Sequence, residues 1–207
     1  MRLYPFVIPS FVKFLYPNYQ WSYPNDNRDI FLTFDDGPHP NVTPWVLDIL
    51  LQYHAKGTFF VVGENAKKYP ELIRRIRAEG HEIGNHTHTH ISGYAHGVSE
   101  YLKDVEECQK VIKSRLFRPP YGRIKSAQGK LIRNHYQVVM WNQLSGDFDK
   151  NLNTAKSLKS LQRNSKGGNI VVFHDSEKAY PQLKNLLEPY LRFLKKEGFN
   201  CKAITGG

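Results

Sequence analysis

Cysteine and long apolar runs are both scarce in this chain of 207 residues. The two cysteines, Cys108 and Cys201, are too few for a disulfide framework, and no Cys-x-x-Cys pair offers a thiolate metal site. Near the N-terminus, Pro5, Pro9 and Pro17 interrupt the apolar residues before a signal-peptide core or a membrane span of about 20 residues is complete. We therefore expect no export signal, no transmembrane segment and a cytoplasmic location.

Acidic residues are few relative to basic ones. The chain has 19 Asp and Glu against 29 Lys and Arg, which gives a formal net charge of +10. The basic residues are spread from Arg2 to Lys202, a pattern that favours a solvated basic surface over a nucleic-acid site. Because the sequence also lacks an RNP-like aromatic motif and zinc-finger spacing, we expect no nucleic-acid partner.

Low-complexity tracts and repeats of fixed period are absent too, and the length suits one domain with one core. The aromatic-rich stretch 3–21 either packs on that domain or makes weak peripheral contact with a membrane. Packing is favoured, because the prolines prevent a continuous amphipathic helix. No pattern in the sequence indicates an oligomeric state.

What the chain does have is a regular alternation of short apolar runs and segments of helical periodicity. The predicted strands are Ile30–Phe34, Gly57–Val62, His81–Asn85, Leu116–Arg118, Gln137–Trp141, Asn169–His174 and Asn200–Ile204. Predicted helices lie between them, one of them with Ser99 as its N-cap. The alternation predicts an α/β fold with about seven parallel strands, either an open doubly wound sheet or a closed (β/α) barrel.

Two clusters just past predicted strand ends have the residue types of a metal site. Asp35 and Asp36 close the first apolar run, and His86-Thr87-His88-Thr89-His90 follows the third. An ordinary turn also explains Asp-Asp-Gly-Pro, but adjacent carboxylates allow one to bind a cation while the other accepts a proton. A turn of helix would bring His86 and His90 to one face and leave His88 opposite. We predict that Asp36, His86 and His90 bind a divalent metal.

Other residues at predicted strand ends complete a candidate site. Arg118 precedes a stiff Pro-Pro-Tyr-Gly loop and is placed to steady the free carboxylate, while Tyr121 offers a backbone N–H to a developing oxyanion. His174 ends another apolar run and is a candidate proton donor for a leaving group. Either Asp147 or Asp149 is expected to hold its imidazole.

In order along the chain, these motifs resemble the five-motif pattern of polysaccharide deacetylases, the NodB-homology family of carbohydrate esterases (family 4). The matching segments are Thr33–Pro38, His86–His90, Arg118–Gly122, Trp141–Asp147 and Val172–His174. Two positions depart from that pattern: Phe148 stands where Trp is usual, and Val172 where Leu is usual. Neither change removes a group that the chemistry needs.

The resemblance implies a distorted (β/α) barrel, a divalent metal that is usually zinc with cobalt able to substitute, and hydrolytic removal of acetyl groups. It implies a role for each matching residue: Asp35 as base, Asp36, His86 and His90 as metal ligands, Arg118 as the group that steadies Asp35, His174 as acid with Asp147 beside it, the Tyr121 amide as oxyanion donor, and Trp141 as a wall of the acetyl pocket. Residues 1–28 are then an N-terminal extension packing on the barrel, and 29–207 the catalytic domain.

We therefore expect an enzyme that deacetylates N-acetylated sugars of a chitooligosaccharide or peptidoglycan. An O-acetyl esterase acting on an acetylated polysaccharide is the alternative. A non-haem iron oxygenase uses the same two imidazoles and one carboxylate, but the paired acids favour hydrolysis. A sugar-binding module without turnover is disfavoured because all the reactive groups are present.

Overall fold

The structure, a computed structural model, describes residues 4–24 and 27–206. Its strands are β1 (Asp29–Asp35), β2 (Gly57–Val61), β3 (Glu82–Asn85), β4 (Leu116–Phe117), β5 (Gln137–Val138), β6 (Gln143–Leu144), β7 (Ile170–His174) and β8 (Asn200–Cys201). Its helices are α1 (Ser10–Leu15), α2 (Val42–Gln52), α3 (Gly63–Lys68), α4 (Pro70–Ala78), α5 (Val98–Ile112), α6 (Ser126–Ile132), α7 (Thr154–Arg163) and α8 (Tyr180–Lys196). A short 3-10 turn, Pro120–Gly122, follows β4.

The described strands form one parallel sheet in the order β5-β4-β3-β2-β1-β7-β6, with β8 paired to the beginning of β1. Helices connect most successive strands, as parallel pairing requires. The strands at the two ends of this path, β5 and β6, are joined directly by residues 139–142. This curled sheet confirms the predicted α/β fold, a single domain with a distorted barrel of parallel strands.

Alternation along β1 assigns its side chains to two different interiors. The even-numbered residues of 30–34 pack with the helices in the main core, whereas Phe31 joins Phe60 in a smaller cluster inside the curl. Thr33 and Asp35 share the inner face with Phe31, because side chains two apart on a strand point the same way. The side chains of Thr33 and Asp35 therefore point into the interior of the barrel.

Four helices differ from the sequence prediction: α1, α3 and α6 were not predicted, and α5 has a different N-cap. α1 is a short helix that lies between Pro9 and Pro17. No periodicity predicts α3 and α6, because helices of 6 and 7 residues make no more than about two turns. The N-cap of α5 is Gly97, and not Ser99. These differences concern helix ends and short helices, and they leave the strand order unaffected.

The predicted strand Gln137–Trp141 is wrong at its C-terminal half. Ladder pairing to β4 ends at Val138, and β6 begins at Gln143 on the other edge of the sheet. Between the two strands, the carbonyls of Val139 and Met140 accept hydrogen bonds from the Arg118 guanidinium. A buried side chain thus takes backbone acceptors that a continuous strand would have used.

The N-terminal segment 4–24 lies across the two edges of the sheet. Val7 forms an antiparallel bridge with Gln143, and Gln20 forms a parallel bridge with Val139. Trp21 is 9% exposed and belongs to a core cluster beneath α5. Residues 1–3 and 25–26 of the predicted extension lie outside the described residues, and its boundary at residue 28 remains a prediction.

α1 is the part of this segment that faces outward, with Phe14 83% exposed. Within residues 4–24 and 27–206, no helix combines the length and apolarity needed to cross a membrane. Peripheral membrane contact through this stretch is not tested by these observations and remains a prediction.

Candidate metal centre and active site

The carboxyl ends of the parallel strands lie at one end of the barrel, and the predicted site residues lie together there. Asp35 at the end of β1 is paired in register with His174 at the end of β7. His86 follows β3 and donates its N–H to a carbonyl at the end of β2 at 3.0 Å. Arg118 follows β4 and donates its N–H to Asn85 O at 2.9 Å. The strand order therefore places side chains from distant parts of the sequence around one space.

The turn after β1 points the Asp36 carboxylate toward the histidines. Asp36 has a positive φ of 78°, a conformation that non-glycine residues adopt rarely. Its carbonyl accepts a hydrogen bond from Asn65 Nδ2 at 2.9 Å, which fixes the turn from the α3 side. This backbone geometry separates the directions of the two adjacent carboxylates, as a ligand and a free base require.

His86 is buried in a defined tautomer. Its Nδ1 lies 2.8 Å from the carbonyl oxygen of Arg118, which only accepts, so Nδ1 is the protonated nitrogen and Nε2 keeps its lone pair. Burial lowers the pKa of His86 to about 4. The imidazole is therefore neutral near pH 7, the form that binds a metal.

The loop that carries His90 is not the predicted turn of helix. Thr87 and His90 both have positive φ, of 64° and 58°, and the segment contains no helical residue. Asp104 of α5 holds this loop: its carboxylate accepts from His88 N at 2.6 Å, Thr89 N at 3.0 Å and Thr89 Oγ1 at 2.8 Å. The expectation that both imidazoles face one point is met, but by side-chain capping of a loop and not by helical spacing.

The side chains of Asp36, His86 and His90 converge on one point. Nε2 of His90 and Nε2 of His86 lie 3.1 and 3.7 Å from Asp36 Oδ1. All three ligand atoms lie within 4.8 Å of one another. Ligands held at ~2.0–2.1 Å by a tetrahedral ion are about 3.3 Å apart, so these donors fit a zinc-sized cation. His88, also among the described residues, is outside this group.

The charge state of Asp36 also suits a cation. Burial alone would raise the pKa of Asp36, but the hydrogen bond to His90 and the charge of His174 hold it well below its ordinary value. The carboxylate is therefore ionised at neutral pH. The donor set then consists of one anionic oxygen and imidazole nitrogens.

Arg118 is fully buried beside Asp35 and joins the inner face of the barrel to the site. Its Nη1 donates to Asp35 Oδ1 and to Thr33 Oγ1, each at 2.7 Å. Its guanidinium carbon lies 4.1 Å from the centre of the Phe60 ring, a cation–π contact. The predicted contact between Arg118 and Asp35 is thus present, and it fixes the position of the free carboxylate.

The structure distinguishes the two aspartates that the sequence leaves as alternatives. Asp147 Oδ1 lies 2.7 Å from His174 Nδ1, and Asp147 Oδ2 accepts from the His174 backbone N–H at 2.8 Å. Asp149 instead accepts a hydrogen bond from Tyr4 at 3.1 Å. Burial alone would lower the pKa of His174, but the charge and hydrogen bond of Asp147, with Asp36 and Asp35 further away, raise it to about 9. His174 is therefore protonated at pH 7.

Tyr121 lies beside His90, and the centre of the Trp141 ring lies 5.7 Å from the guanidinium carbon of Arg118. Tyr121 has a φ of 60° and is 63% exposed, and its ring packs edge-on against His90 at 4.8 Å. The N–H groups of Gly122 and Arg123 donate the backbone hydrogen bonds that close the 3-10 turn. The Tyr121 N–H takes no part in these hydrogen bonds. Trp141 packs closely against this turn: a Cβ built on Gly122 would lie only 2.8 Å from the Trp141 indole.

Asp175 supports the site and was missed by sequence reasoning. It is fully buried, and its carboxylate accepts from Thr43 Oγ1 at 2.5 Å and from Gly37 N at 3.2 Å, which anchors the turn that carries Asp36. Burial raises the pKa of Asp175 to about 7. An acid directly after His174 was visible in the sequence, but nothing local shows that it returns to the first turn.

This chain is similar to known proteins of one family. The family model described as polysaccharide deacetylase matches residues 22–139. A peptidoglycan-N-acetylglucosamine deacetylase of Bacillus cereus is 37% identical over 192 residues, which cover 89% of this chain and 90% of that relative. A chitooligosaccharide deacetylase of Azorhizobium caulinodans is 34% identical over 161 residues, 72% of this chain and 75% of that relative.

The fold has close counterparts among solved structures. A peptidoglycan N-acetylglucosamine deacetylase, solved in complex with an N-oxidanyl-benzamide compound, superposes with a TM-score of 0.85 at 29% identity. The superposition covers 93% of this chain and 94% of that one. Similarity therefore extends over nearly the whole chain.

Proposed function

The chain belongs to the polysaccharide deacetylase family, and on that premise we propose that it hydrolyses the N-acetyl group of amino sugars in peptidoglycan or chitooligosaccharide. One observation carries the proposal. Three side chains that could hold a metal ion, a carboxylate bound by Arg118 and an imidazole bound by Asp147 occur together at one end of the barrel. Amide hydrolysis needs these three kinds of group: an electrophile, a base and an acid.

Asp36, His86 and His90 would hold the divalent metal, with zinc favoured by two imidazoles and one carboxylate and cobalt able to substitute. Such an ion supplies Lewis-acid polarisation of the acetyl carbonyl and lowers the pKa of water. Two hydrogen bonds orient these ligands. Asn65 donates to the Asp36 carbonyl, and the Arg118 carbonyl accepts from His86 Nδ1.

Asp35 is the proposed base that takes a proton from the attacking water. Asp35 is buried, with 4% of the residue exposed. Arg118 donates to one oxygen of its carboxylate, which leaves the other oxygen for the water. Because the position of Arg118 is set by four hydrogen bonds, Asp35 does not have to be ordered when substrate binds.

His174 is the proposed acid that protonates the departing amine. An amine is a poor leaving group unless it is protonated, and the Asp147 contact keeps the imidazole charged at neutral pH. The Tyr121 N–H is the proposed donor to the developing oxyanion, and Trp141 is the proposed wall for the acetyl methyl group.

Acetate release from a substrate panel tests the proposal. The panel contains N-acetylated chitooligosaccharides, peptidoglycan fragments and an O-acetylated polysaccharide, each assayed with zinc-loaded and chelator-treated protein. We expect release from an N-acetylated substrate, its loss on chelation and its recovery when zinc is added back. Release from the O-acetylated polymer alone would show that the substrate is an ester, and no zinc-dependent release from any member would contradict the proposal.

The role of Asp35 is tested by Asp35→Asn. We expect acetate release to fall by about 10²–10⁴-fold or more, because the base is lost. The zinc content should stay at the wild-type level, because Asp35 is not in the ligand set. Asp48→Asn is the matched control, since Asp48 is a 59% exposed carboxylate that pairs with Arg75 away from the site. Full activity of Asp35→Asn would show that another group is the base.

A further inference from the structure

Tyr4, in the N-terminal segment, contacts the loop that presents Asp147 to His174. Its hydroxyl lies 3.1 Å from Asp149 Oδ2 and 3.4 Å from the carbonyl oxygen of Gly146. Burial, followed by the hydrogen bond to Asp149, raises the pKa of the Tyr4 phenol. The hydroxyl is therefore protonated at neutral pH and donates to these oxygens.

A series of aromatic contacts also connects the Tyr4 ring to the site. Its centroid lies 5.0 Å from that of Phe148, with the planes tilted by 49°. Phe148 in turn packs edge-to-face on the His174 imidazole, at 5.2 Å and 77°. Phe6 also packs edge-on against Tyr4, at 5.9 Å. Phe148 is thus held between the N-terminal segment and the imidazole, at distances typical of stabilising aromatic pairs.

The loop backbone is shaped to receive this side chain. Gly146 has a φ of 76°, and a Cβ built on it would lie 2.8 Å from both Cε2 and the hydroxyl of Tyr4. The backbone N–H of Asp149 bonds to the Gly146 carbonyl at 3.0 Å, which closes a tight turn around Asp147. Tyr4 therefore packs directly against the outer side of the turn whose inner side chain binds His174.

We propose that Tyr4 is a positioning residue of the deacetylation reaction: it holds the 146–149 turn and Phe148 in place and thereby fixes His174. The inference rests on the proposed function of His174 as the acid. The segment before β1 then completes the active site from outside the strand-helix units and does not only cover the sheet edges.

Two kinds of measurement test this role, on the full chain loaded with zinc. For Tyr4→Ala we expect kcat for acetate release to fall by about 10–100-fold, because a small displacement of a reacting group has an effect of this size. KM should change by less than about twofold, because Tyr4 lies behind the acid and not among the groups assigned to bind the acetyl group. Tyr4→Phe keeps the ring and should recover most of the lost kcat.

Hydrogen exchange provides the second readout and does not depend on turnover. The His174 N–H donates to Asp147 Oδ2 and the Asp149 N–H to the Gly146 carbonyl. Both amides should exchange faster in Tyr4→Ala than in wild type. Their exchange in Tyr4→Phe should be closer to the wild-type rate, because this variant keeps the ring and loses only the hydroxyl contacts to Asp149 and Gly146. Phe11→Ala is the matched control from the same segment, because Phe11 is 66% exposed, and its exchange and kcat should equal those of wild type. Tyr4→Leu replaces Tyr4→Ala if the latter does not fold.

The outcomes separate this inference from the proposed function. Wild-type protein that releases no acetate refutes the proposed function, and the exchange rates alone then decide whether Tyr4 holds the turn. Tyr4→Ala with wild-type exchange at both amides overturns the inference, whether or not kcat changes. Tyr4→Phe as defective as Tyr4→Ala in both measurements also overturns the proposed route through the ring stack.

Discussion

The pairing of Asp147 with His174 leads to a prediction with a defined size. Asp147→Asn keeps the shape of the side chain but removes its charge, and it replaces one of the two oxygens that accept from His174 with an NH2 donor. Burial on its own lowers the pKa of His174, and Asp147 is the strongest of the groups that raise it to about 9. We expect the pKa of His174 in the variant to fall toward its ordinary value of 6.5 or below, so that the imidazole is largely neutral at pH 7.

The same shift fixes a change in stability. A pKa raised from 6.5 to about 9 corresponds, at about 1.4 kcal/mol per unit, to about 3 kcal/mol. Because the folded-state pKa of His174 is the higher one, this stabilisation is complete below pH 6.5 and is lost as the pH rises through 9. In Asp147→Asn most of this pH dependence should disappear.

The assay is urea unfolding of metal-free protein at a series of pH values, with the imidazole of His174 followed by NMR. Metal-free protein is used because Asp36 contributes to the shift and a bound cation would offset its charge. Asp149→Asn is the matched control: it removes a neighbouring carboxylate but keeps an oxygen that can accept from Tyr4, and the pKa of His174 should stay raised. In zinc-loaded enzyme at pH 7, Asp147→Asn should lower kcat by about 10²–10⁴-fold.

Parallel stability curves for wild type and Asp147→Asn between pH 6.5 and 9 would refute this reasoning. So would a His174 resonance that titrates at the same pH in both proteins. In either case the charge on the imidazole would have to come from a group other than Asp147.

Further predictions concern the two turns that carry the metal ligands. Gly37→Ala should lower the free energy of unfolding by about 1–3 kcal/mol, because its Cβ would lie 2.1 Å from Asp175 Oδ2; a urea midpoint equal to that of wild type would contradict it. Asp104→Ala should weaken zinc binding by about 10–100-fold in a chelator competition, because the loop amides before His90 lose their acceptor. Zinc affinity unchanged in that variant would show that the backbone alone sets the loop.

Much of the site could be predicted because its residues follow strand ends. The apolar run before Asp35 and the one before His174 are short, rich in β-branched and aromatic residues, and closed by polar residues, so both strand ends are visible locally. Parallel strands connected by helices bring such ends to one edge of the sheet. The convergence of the polar side chains therefore follows from the alternation of elements.

Local conformation within the loops was less predictable, and the histidine loop shows why. The spacing of His86 and His90 also fits a turn of helix, but in the structure this segment is a loop, so the helical prediction was wrong. The positive φ at Thr87 and His90 is maintained with the help of Asp104, which belongs to α5. A single-sequence pattern does not include the contribution of a side chain from another element to a backbone dihedral.

The sequence alone determined the α/β class and the donor types at the site, and its motif order indicated the family, because apolar periodicity and motif spacing are local properties. Only the tertiary structure decided that Asp147 and not Asp149 meets His174, that Asp175 anchors the Asp36 turn, and that Tyr4 reaches the same loop. These contacts join residues far apart in the chain, and their partners are selected by packing and burial once the barrel has formed.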